Sequence, residues 1–144
     1  FEPHPRGQPL QGRAIRAAIR RALDAAAVAP GEVGHVNAHG LSTQHDDQIE
    51  AQAIRDTLGD VPVTAPKSFF GNLSAGAGAV EMAVSVLAFD KGLVPPTLNY
   101  EHPDPQCPVN VIHGEPLKLP GPTALLLNHS HDGRSVAMVL AAPE

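Results

Sequence analysis

The segment at residues 73–89 constrains this chain more than any other, because the helix that it predicts is apolar on nearly every side. Alanine and glycine fill residues 75–79, so that a neighbouring helix can approach its backbone closely. Glu81 is the single charge in the segment, and a buried carboxylate needs a partner. A helix of this kind must be covered on all of its sides, which requires a layer of structure on each of them.

The remaining hydrophobic periodicity predicts an α/β fold with layers around a mostly parallel sheet. Two more helices are predicted at residues 10–27 and 44–58. Short strands are predicted at residues 33–38, 61–64, 109–112, 124–127 and 136–140. The last two strands, joined by a polar loop, favour an antiparallel hairpin. One sheet and two helices are too little to cover a third helix on every side, so we expect a covering layer that these residues do not supply.

The composition predicts one globular domain over residues 1–144, in which the proline-rich residues 1–9 form an extended segment. Hydrophobic residues make up 42% and charged residues 17%, which is typical of a folded chain. A net charge of −5 without a basic block argues against nucleic-acid binding, and no apolar run is long enough to span a membrane. Cys107 is the one cysteine, which excludes an internal disulfide and a cysteine-based zinc cluster and makes the cytoplasm the expected location.

The candidate chemical groups follow two predicted strands, at the strand ends where α/β folds place their sites. His39 follows the strand at residues 33–38, and Lys67 follows the strand at residues 61–64. Lys67 must find a carboxylate or lose its proton if it is buried. The carboxylates that follow in the sequence are those of Asp47, Glu50 and Glu81. Both a structural ion pair and a catalytic set fit these residues.

Four motifs resemble, in order and spacing, the C-terminal half of the β-ketoacyl-acyl-carrier-protein synthases. They are Asn37-Ala38-His39-Gly40-x-Ser42-Thr43, Asp47-x-x-Glu50, Lys67-Ser68-x-x-Gly71-x-Leu73 and Gly78-x-Val80-Glu81. Residues 92–100 and the Pro-Asp-Pro sequence at residues 103–105 resemble the stretch that follows the buried helix in that family. The resemblance therefore covers nearly the whole chain.

The resemblance implies a thiolase-like fold, in which two similar halves each contribute a five-stranded sheet and pack their buried helices together. This chain would be the C-terminal half, and the N-terminal half or a second copy of the chain would cover the helix at residues 73–89. The implied activity is condensation of malonyl carrier with an acyl thioester, with loss of CO2. The substrates would be carried on the phosphopantetheine of an acyl carrier protein, with no other cofactor, and the nucleophilic cysteine would come from the N-terminal half.

The resemblance also implies the catalytic residues. His39 matches the first of two imidazoles that donate N–H groups to the malonyl thioester oxygen, as a developing negative charge requires. The second position holds Asn72, whose amide can donate N–H but cannot take up a proton. Lys67 matches the family lysine, with Asp47 and Glu81 as its expected partners. The structural carboxylate of the family is matched by Glu50.

The substrate-binding residues implied by the resemblance depart from the family pattern at two places. Thr43 would contact the pantetheine arm, whereas Leu41 stands where the family often has a second threonine. In the loop that gates the acyl site, Asn128 fits the family, but Asp132 replaces the gating phenylalanine. Cys107 lies in a proline-flanked turn without a nearby base and is interpreted as a structural thiol.

Three hypotheses for function remain open at this point. The chain is the C-terminal half of an active ketosynthase, serving fatty acid or polyketide synthesis, and inactive alone because the nucleophile is absent. Alternatively, it is a non-catalytic relative that acts as a chain-length or scaffold partner. The third, less favoured hypothesis is a metal-dependent hydrolase, with ligands at His129, His131 and Asp132 and at residues 45–47. For the first two hypotheses we expect no metal.

Overall fold

The computed structural model describes Pro3 and residues 10–143, so the prediction for residues 1–9 lies almost wholly outside the described residues. The α-helices are α1 (Arg13–Ala26), α2 (Gln44–Leu58), the single turn α3 (Lys67–Phe70) and α4 (Ala77–Lys91). The strands are β1 (His35–Asn37), β2 (Pro62–Thr64), β3 (Leu93–Val94), β4 (Asn110–Val111), β5 (Leu117–Lys118), β6 (Thr123–His129) and β7 (Ser135–Ala141). Short 3-10 turns occur at Pro30–Glu32 and Ser74–Gly76.

Five strands form one mixed sheet in the order β4-β2-β1-β6-β7. The pairs β4–β2, β2–β1 and β1–β6 are parallel, and β7 runs antiparallel to β6 as a hairpin. The prediction of a mostly parallel α/β sheet ending in an antiparallel hairpin is therefore confirmed. Strands β3 and β5, of two residues each, form a separate two-stranded antiparallel sheet that the sequence analysis did not predict.

Alternation along the central strands separates the two faces of the sheet. Val36, Leu125 and Leu127 face α1 and α2 and form the apolar core with their buried side chains. His35 and Asn37, which flank Val36, face α4 instead: His35 packs edge-on against Phe89, and the Asn37 amide bonds to the α4 backbone. Among the described helices, α1 and α2 thus cover one face of the sheet, and α4 lies on the other.

The first two helices agree with their hydrophobic patterns. In α1 the predicted stripe Ile15, Ile19 and Leu23 is buried, and α2 has the predicted bounds. Helix α1 begins at Arg13 rather than at residue 10, because Gly12 holds a left-handed backbone (φ 71°) immediately before it. A Cβ at Gly12 would lie 3.0 Å from a carbonyl oxygen of α2, so the glycine also allows close approach of the two helices.

The third predicted helix differs from its prediction at both ends. It was expected over residues 73–89, but residues 74–76 form the 3-10 turn and α4 continues to Lys91, where Gly92 ends it. Only one face of α4 is buried, and its members are Ala77, Glu81, Ser85 and Ala88. Val86 is 54% exposed and Leu87 is 56% exposed, so the apolar sides of the helix lie open to solvent.

The exposed apolar area continues from α4 onto the sheet. Val136 and Met138 of β7 are 64% and 41% exposed. They pair with Asn128 and Leu126 of β6, and Asn128 bonds to Glu81 of α4, so both lie on the α4 side of the sheet. These residues and the exposed apolar residues of α4 lie on the same side of the sheet, and together we call them the open face (Val80, Val86, Leu87, Val136 and Met138). In the described residues, no helix is long and apolar enough to cross a membrane.

Burial of His35 predicts a loss of stability in acid. The side chain is 1% exposed, and neither ring nitrogen has a hydrogen-bond partner in the described residues. Burial lowers the pKa of His35 from 6.5 to about 4. As the pH falls through this range, His35 becomes protonated in the unfolded chain but not in the native chain. The free energy of unfolding should therefore fall by about 3 kcal/mol.

Urea unfolding of the chain and of His35→Leu, at pH 7 and at pH 4, measures this effect. Over that range the variant should gain about 3 kcal/mol in the free energy of unfolding relative to the unmodified chain. A difference between the two proteins that does not change with pH would contradict the assignment to His35.

Candidate active site

Side chains from four elements meet at the carboxyl ends of β1 and β2. Lys67, on α3, forms a buried ion pair with Glu81 of α4, in which both side chains are at most 4% exposed. The Lys67 Nζ also lies 3.1 Å from the Nδ1 of His39, the residue that follows β1 by two positions. Asn128 of β6 donates from Nδ2 to Glu81 Oε2 at 2.7 Å, and its Oδ1 lies 3.0 Å from the same His39 Nδ1.

The His39 Nδ1 atom therefore has two neighbours that favour different tautomers. If Nδ1 carries the proton, it donates to Asn128 Oδ1; if it is bare, it accepts from the Lys67 ammonium. In the second tautomer the proton sits on Nε2, which has no protein partner in the described residues. Burial and, to a smaller extent, the charge of Lys67 lower the pKa of His39, so the neutral ring predominates at neutral pH. The neutral ring with Nε2–H is an N–H donor free to meet a substrate oxygen.

Glu50 of α2 fixes the backbone that carries His39. Its Oε1 accepts the His39 N–H at 2.7 Å, and its Oε2 accepts the Gly40 N–H at 2.9 Å. Burial raises the pKa of Glu50, but the His129 imidazole and the two N–H donors outweigh it, and the pKa is lowered overall. Gly40 has a left-handed backbone (φ 49°), and a Cβ there would lie 2.7 Å from the Cβ of Ala65, so the turn requires glycine.

His129 belongs to this cluster, although the sequence suggested it only as a possible metal ligand. Its ring centroid lies 4.6 Å from that of His39, and its Nε2 lies 3.7 Å from Glu50 Oε2. One signal for this placement was present in the sequence. Residue 129 alternates with Leu125 and Leu127 and therefore faces α2, the helix that carries Glu50.

A cavity of about 390 Å³ adjoins the cluster, and Lys67 and Glu50 form part of its wall. Asp47 also lines this cavity, but its Oδ1 accepts the Ser42 N–H at 3.2 Å and so holds the loop before α2. Burial, followed by the charge of Glu50, raises the pKa of Asp47. The partner of Lys67 is thus Glu81, whereas Asp47 supports the neighbouring backbone.

Asn72 lies on the wall of the same cavity rather than within the cluster. The residue is exposed, and its Oδ1 accepts the Ser74 N–H at 3.0 Å. The Nδ2 group takes no part in that hydrogen bond. Cys107 also lines the cavity, where burial and the nearby carboxylates, first that of Asp104, raise the pKa of its thiol to about 11. The thiol is protonated at neutral pH, which disfavours its use as a nucleophile.

The predicted substrate-binding residues Thr43 and Asp132 have their hydrogen-bond and ion-pair partners outside the His39 cluster. The Thr43 hydroxyl is exposed and donates to Asp46 Oδ2 at 2.7 Å. Asp132 accepts a hydrogen bond from Ser130 and pairs with Arg134 at 3.2 Å, both within the β6–β7 turn. Within Pro3 and residues 10–143, no three His, Cys, Asp or Glu side chains are grouped as a metal site would require, so the geometry does not favour the hydrolase hypothesis.

Comparison with known proteins gives consistent matches. The family model described as "Beta-ketoacyl synthase, C-terminal domain" matches residues 3–101. The tetracenomycin polyketide synthase ketoacyl synthase alpha subunit of Streptomyces glaucescens is 35% identical over 145 residues, which cover 98% of this chain and 34% of that protein. The chain thus spans about a third of the length of that relative.

Two solved structures share the fold. The ishigamide ketosynthase/chain length factor superposes with a TM-score of 0.89 at 29% identity, covering 93% of this chain and 34% of that one. The complex AntDE:AntF, a type II polyketide synthase acyl carrier protein with its ketosynthase, gives a TM-score of 0.87 at 34% identity, with the same coverage of each chain. The thiolase-like fold expected from the motifs is therefore confirmed.

Proposed function

Since this chain belongs to the β-ketoacyl synthase family, whose C-terminal domain it contains, we propose that it forms one half of a site for decarboxylative condensation. A complementary N-terminal half, on the same or another polypeptide, supplies the nucleophilic cysteine. The observation that carries the proposal is the contact between Lys67 Nζ and His39 Nδ1, because it favours the tautomer in which Nε2 carries the proton and can donate it in a hydrogen bond.

In the proposed reaction, the cysteine thiolate first attacks the acyl-carrier thioester, forms a new thioester with the acyl group and releases the phosphopantetheine sulfur of the carrier as a thiolate. Malonyl carrier then loses CO2, and the electron pair of the broken C–C bond passes into the thioester as an enolate. Negative charge develops on the thioester oxygen, where N–H donors lower the barrier. His39 Nε2–H is the first donor, and Asn72 Nδ2–H is proposed as the second. The carbanion attacks the acyl thioester, forms the new C–C bond and releases the cysteine thiolate.

The Lys67–Glu81 ion pair serves this chemistry through His39. The Lys67 ammonium donates a hydrogen bond to His39 Nδ1 and so keeps the ring proton on Nε2. Glu81 holds both the ammonium, through the ion pair, and the amide of Asn128, whose Nδ2 donates to it. An acyl carrier protein is the proposed partner that delivers the substrates, in keeping with the solved complex of a relative with its carrier protein. Thr43 is the proposed contact for the pantetheine arm.

A non-catalytic role as a chain-length or scaffold partner is the second candidate. Two observations favour it: Asn72 lies outside the His39 cluster, and Asp132 replaces the gating phenylalanine and is bonded within its own turn. In this role the open face still binds a partner, but no CO2 is released. One of the structural relatives is named as a ketosynthase/chain length factor, and the second part of that name describes such a role.

Release of CO2 from malonyl carrier by the complex of both halves tests the proposal. His39→Phe should lower kcat by about 10²- to 10³-fold, since it removes an N–H donor to the developing oxyanion. His45→Phe, at an exposed histidine of α2, is the matched control and should leave the rate unchanged. Full activity of His39→Phe would contradict the proposed mechanism, and a stable wild-type complex that releases no CO2 would establish the non-catalytic role.

A further inference from the structure

His129 is a buried ionisable side chain of the cluster to which the proposed mechanism gives no role. Its side chain is 2% exposed, and its Nε2 has no hydrogen-bond partner in the described residues. That atom nevertheless lies 3.7 Å from Glu50 Oε2, which is within ion-pair distance. The ring is tilted by 56° against the ring of His39, with centroids 4.6 Å apart.

We propose that His129 is a positioning residue of the site, which as an imidazolium balances the charge of Glu50 and supports the ring of His39. The position of His129 beside Glu50 and His39 does not depend on the proposed function, whereas its effect on reaction rate does. Through Glu50, which accepts the N–H groups of His39 and Gly40, this residue controls both the backbone and the ring of the proposed donor.

The buried charges of the cluster support this assignment. Lys67 forms its buried ion pair with Glu81 and therefore does not balance the charge of Glu50. Glu50 is 3% exposed, and a carboxylate so deeply buried needs a cation as well as N–H donors. Among the described residues around Glu50, His129 is the side chain that can supply this cation. With His129 protonated, the two carboxylates and two cations of the cluster balance.

The other ionisable groups nearby do not replace it. Asp47, from α2, adds negative charge on the cavity side of Glu50. His131, Asp132 and Arg134 lie on the β6–β7 turn, and Asp132 and Arg134 pair with each other there at the surface. The groups that face His39 itself are Lys67, Glu50 and His129, and two of these three are cations in the proposed state.

This arrangement has a consequence for His39. A cation beside its ring and another at its Nδ1 both oppose protonation, so they keep the ring neutral and available as an Nε2–H donor. Loss of the His129 charge should therefore make His39 take up a proton more readily, by about tenfold. It should also weaken the hold of Glu50 on the backbone, because an unpaired buried carboxylate is more easily protonated.

The test uses the natural protein that contains this chain, with histidines labelled by ¹⁵N for NMR. His129→Phe keeps an aromatic ring and removes the charge, and it should raise the midpoint of His39 protonation by about one pH unit. His129→Gln, which is smaller and polar, serves as the second variant if His129→Phe does not fold, and it should move the midpoint in the same direction.

The pH dependence of CO2 release gives the catalytic readout. The acid limb of kcat should shift upward in both variants by the same amount as the His39 midpoint, with little change in KM. A His39 midpoint that is unchanged in both variants would overturn the inference. If no form of the protein releases CO2, the proposed function fails, while the NMR titration still decides the role of His129.

Discussion

Lys67→Met should destabilise the chain by about 3 to 5 kcal/mol, because it leaves the Glu81 carboxylate buried without its cation. Glu81 is 1% exposed and lies between the sheet and α4, so water cannot replace the lost ammonium without a local opening of the fold. The free energy of unfolding in urea at pH 7 measures the effect. The same variant should lose CO2 release in the assembled protein, since His39 Nδ1 also loses its donor.

Two control variants separate the ion pair from other effects of the substitution. Lys91→Met removes an exposed lysine, 70% accessible and paired with its neighbour Asp90, and should change stability by less than about 0.5 kcal/mol. The double variant Lys67→Met/Glu81→Gln leaves no unpaired charge and should be more stable than Lys67→Met alone. The assignment of a buried ion pair would be wrong if Lys67→Met cost no more than Lys91→Met.

The double variant Val86→Asp/Leu87→Asp should weaken binding to the complementary half by about 10³-fold or more. Both residues lie on the open face and are more than half exposed in this chain, so the charges should not disturb its own fold. In an assembled protein they would be buried in an apolar interface without partners, where about 4 kcal/mol of binding energy would be lost. Sedimentation of the two separately produced halves over a range of concentrations measures the change.

The matched control places a charge on the opposite side of the molecule. Ala17 is an exposed residue of α1, which packs on the other face of the sheet from α4, and Ala17→Asp is the control variant. It should leave both the fold and the binding of the complementary half unchanged. Equal binding of the wild type and the Val86→Asp/Leu87→Asp variant would show that the open face is not the interface.

Periodicity and motif spacing predicted most of the fold, since the features concerned are local. The bounds of α2 follow from its inner stripe and from the glycine that ends it, and both are visible in the sequence. The part of the open face on α4 was predicted for the same reason, because a helix with apolar residues all round must bury more than one side. The part on β7, Val136 and Met138, was not predicted. The β3–β5 sheet was missed, because Pro95 follows one of its strands and Pro116 precedes the other, and proline is typical of loops.

The site was harder to predict, because side chains far apart in sequence determine it. The contact between His39 and Lys67 joins residues 28 positions apart, and Asn128 reaches His39 from 89 positions away. Spacing alone also did not distinguish Asp47, which binds the loop before α2, from Glu81, which pairs with Lys67. His129 was noticed for its histidine-rich loop, but the orientation that brings it to Glu50 depends on the strand pairing.

The account as a whole depends on the open face being an interface in the natural protein. Cysteine labelling, followed by peptide mass spectrometry, measures this directly at Val86→Cys, with Ala17→Cys as the exposed reference. In this chain alone both positions should react at similar rates, whereas in the natural protein the label at residue 86 should react at least about 100-fold more slowly than that at residue 17. Equal labelling rates at the two positions in the natural protein would contradict the account.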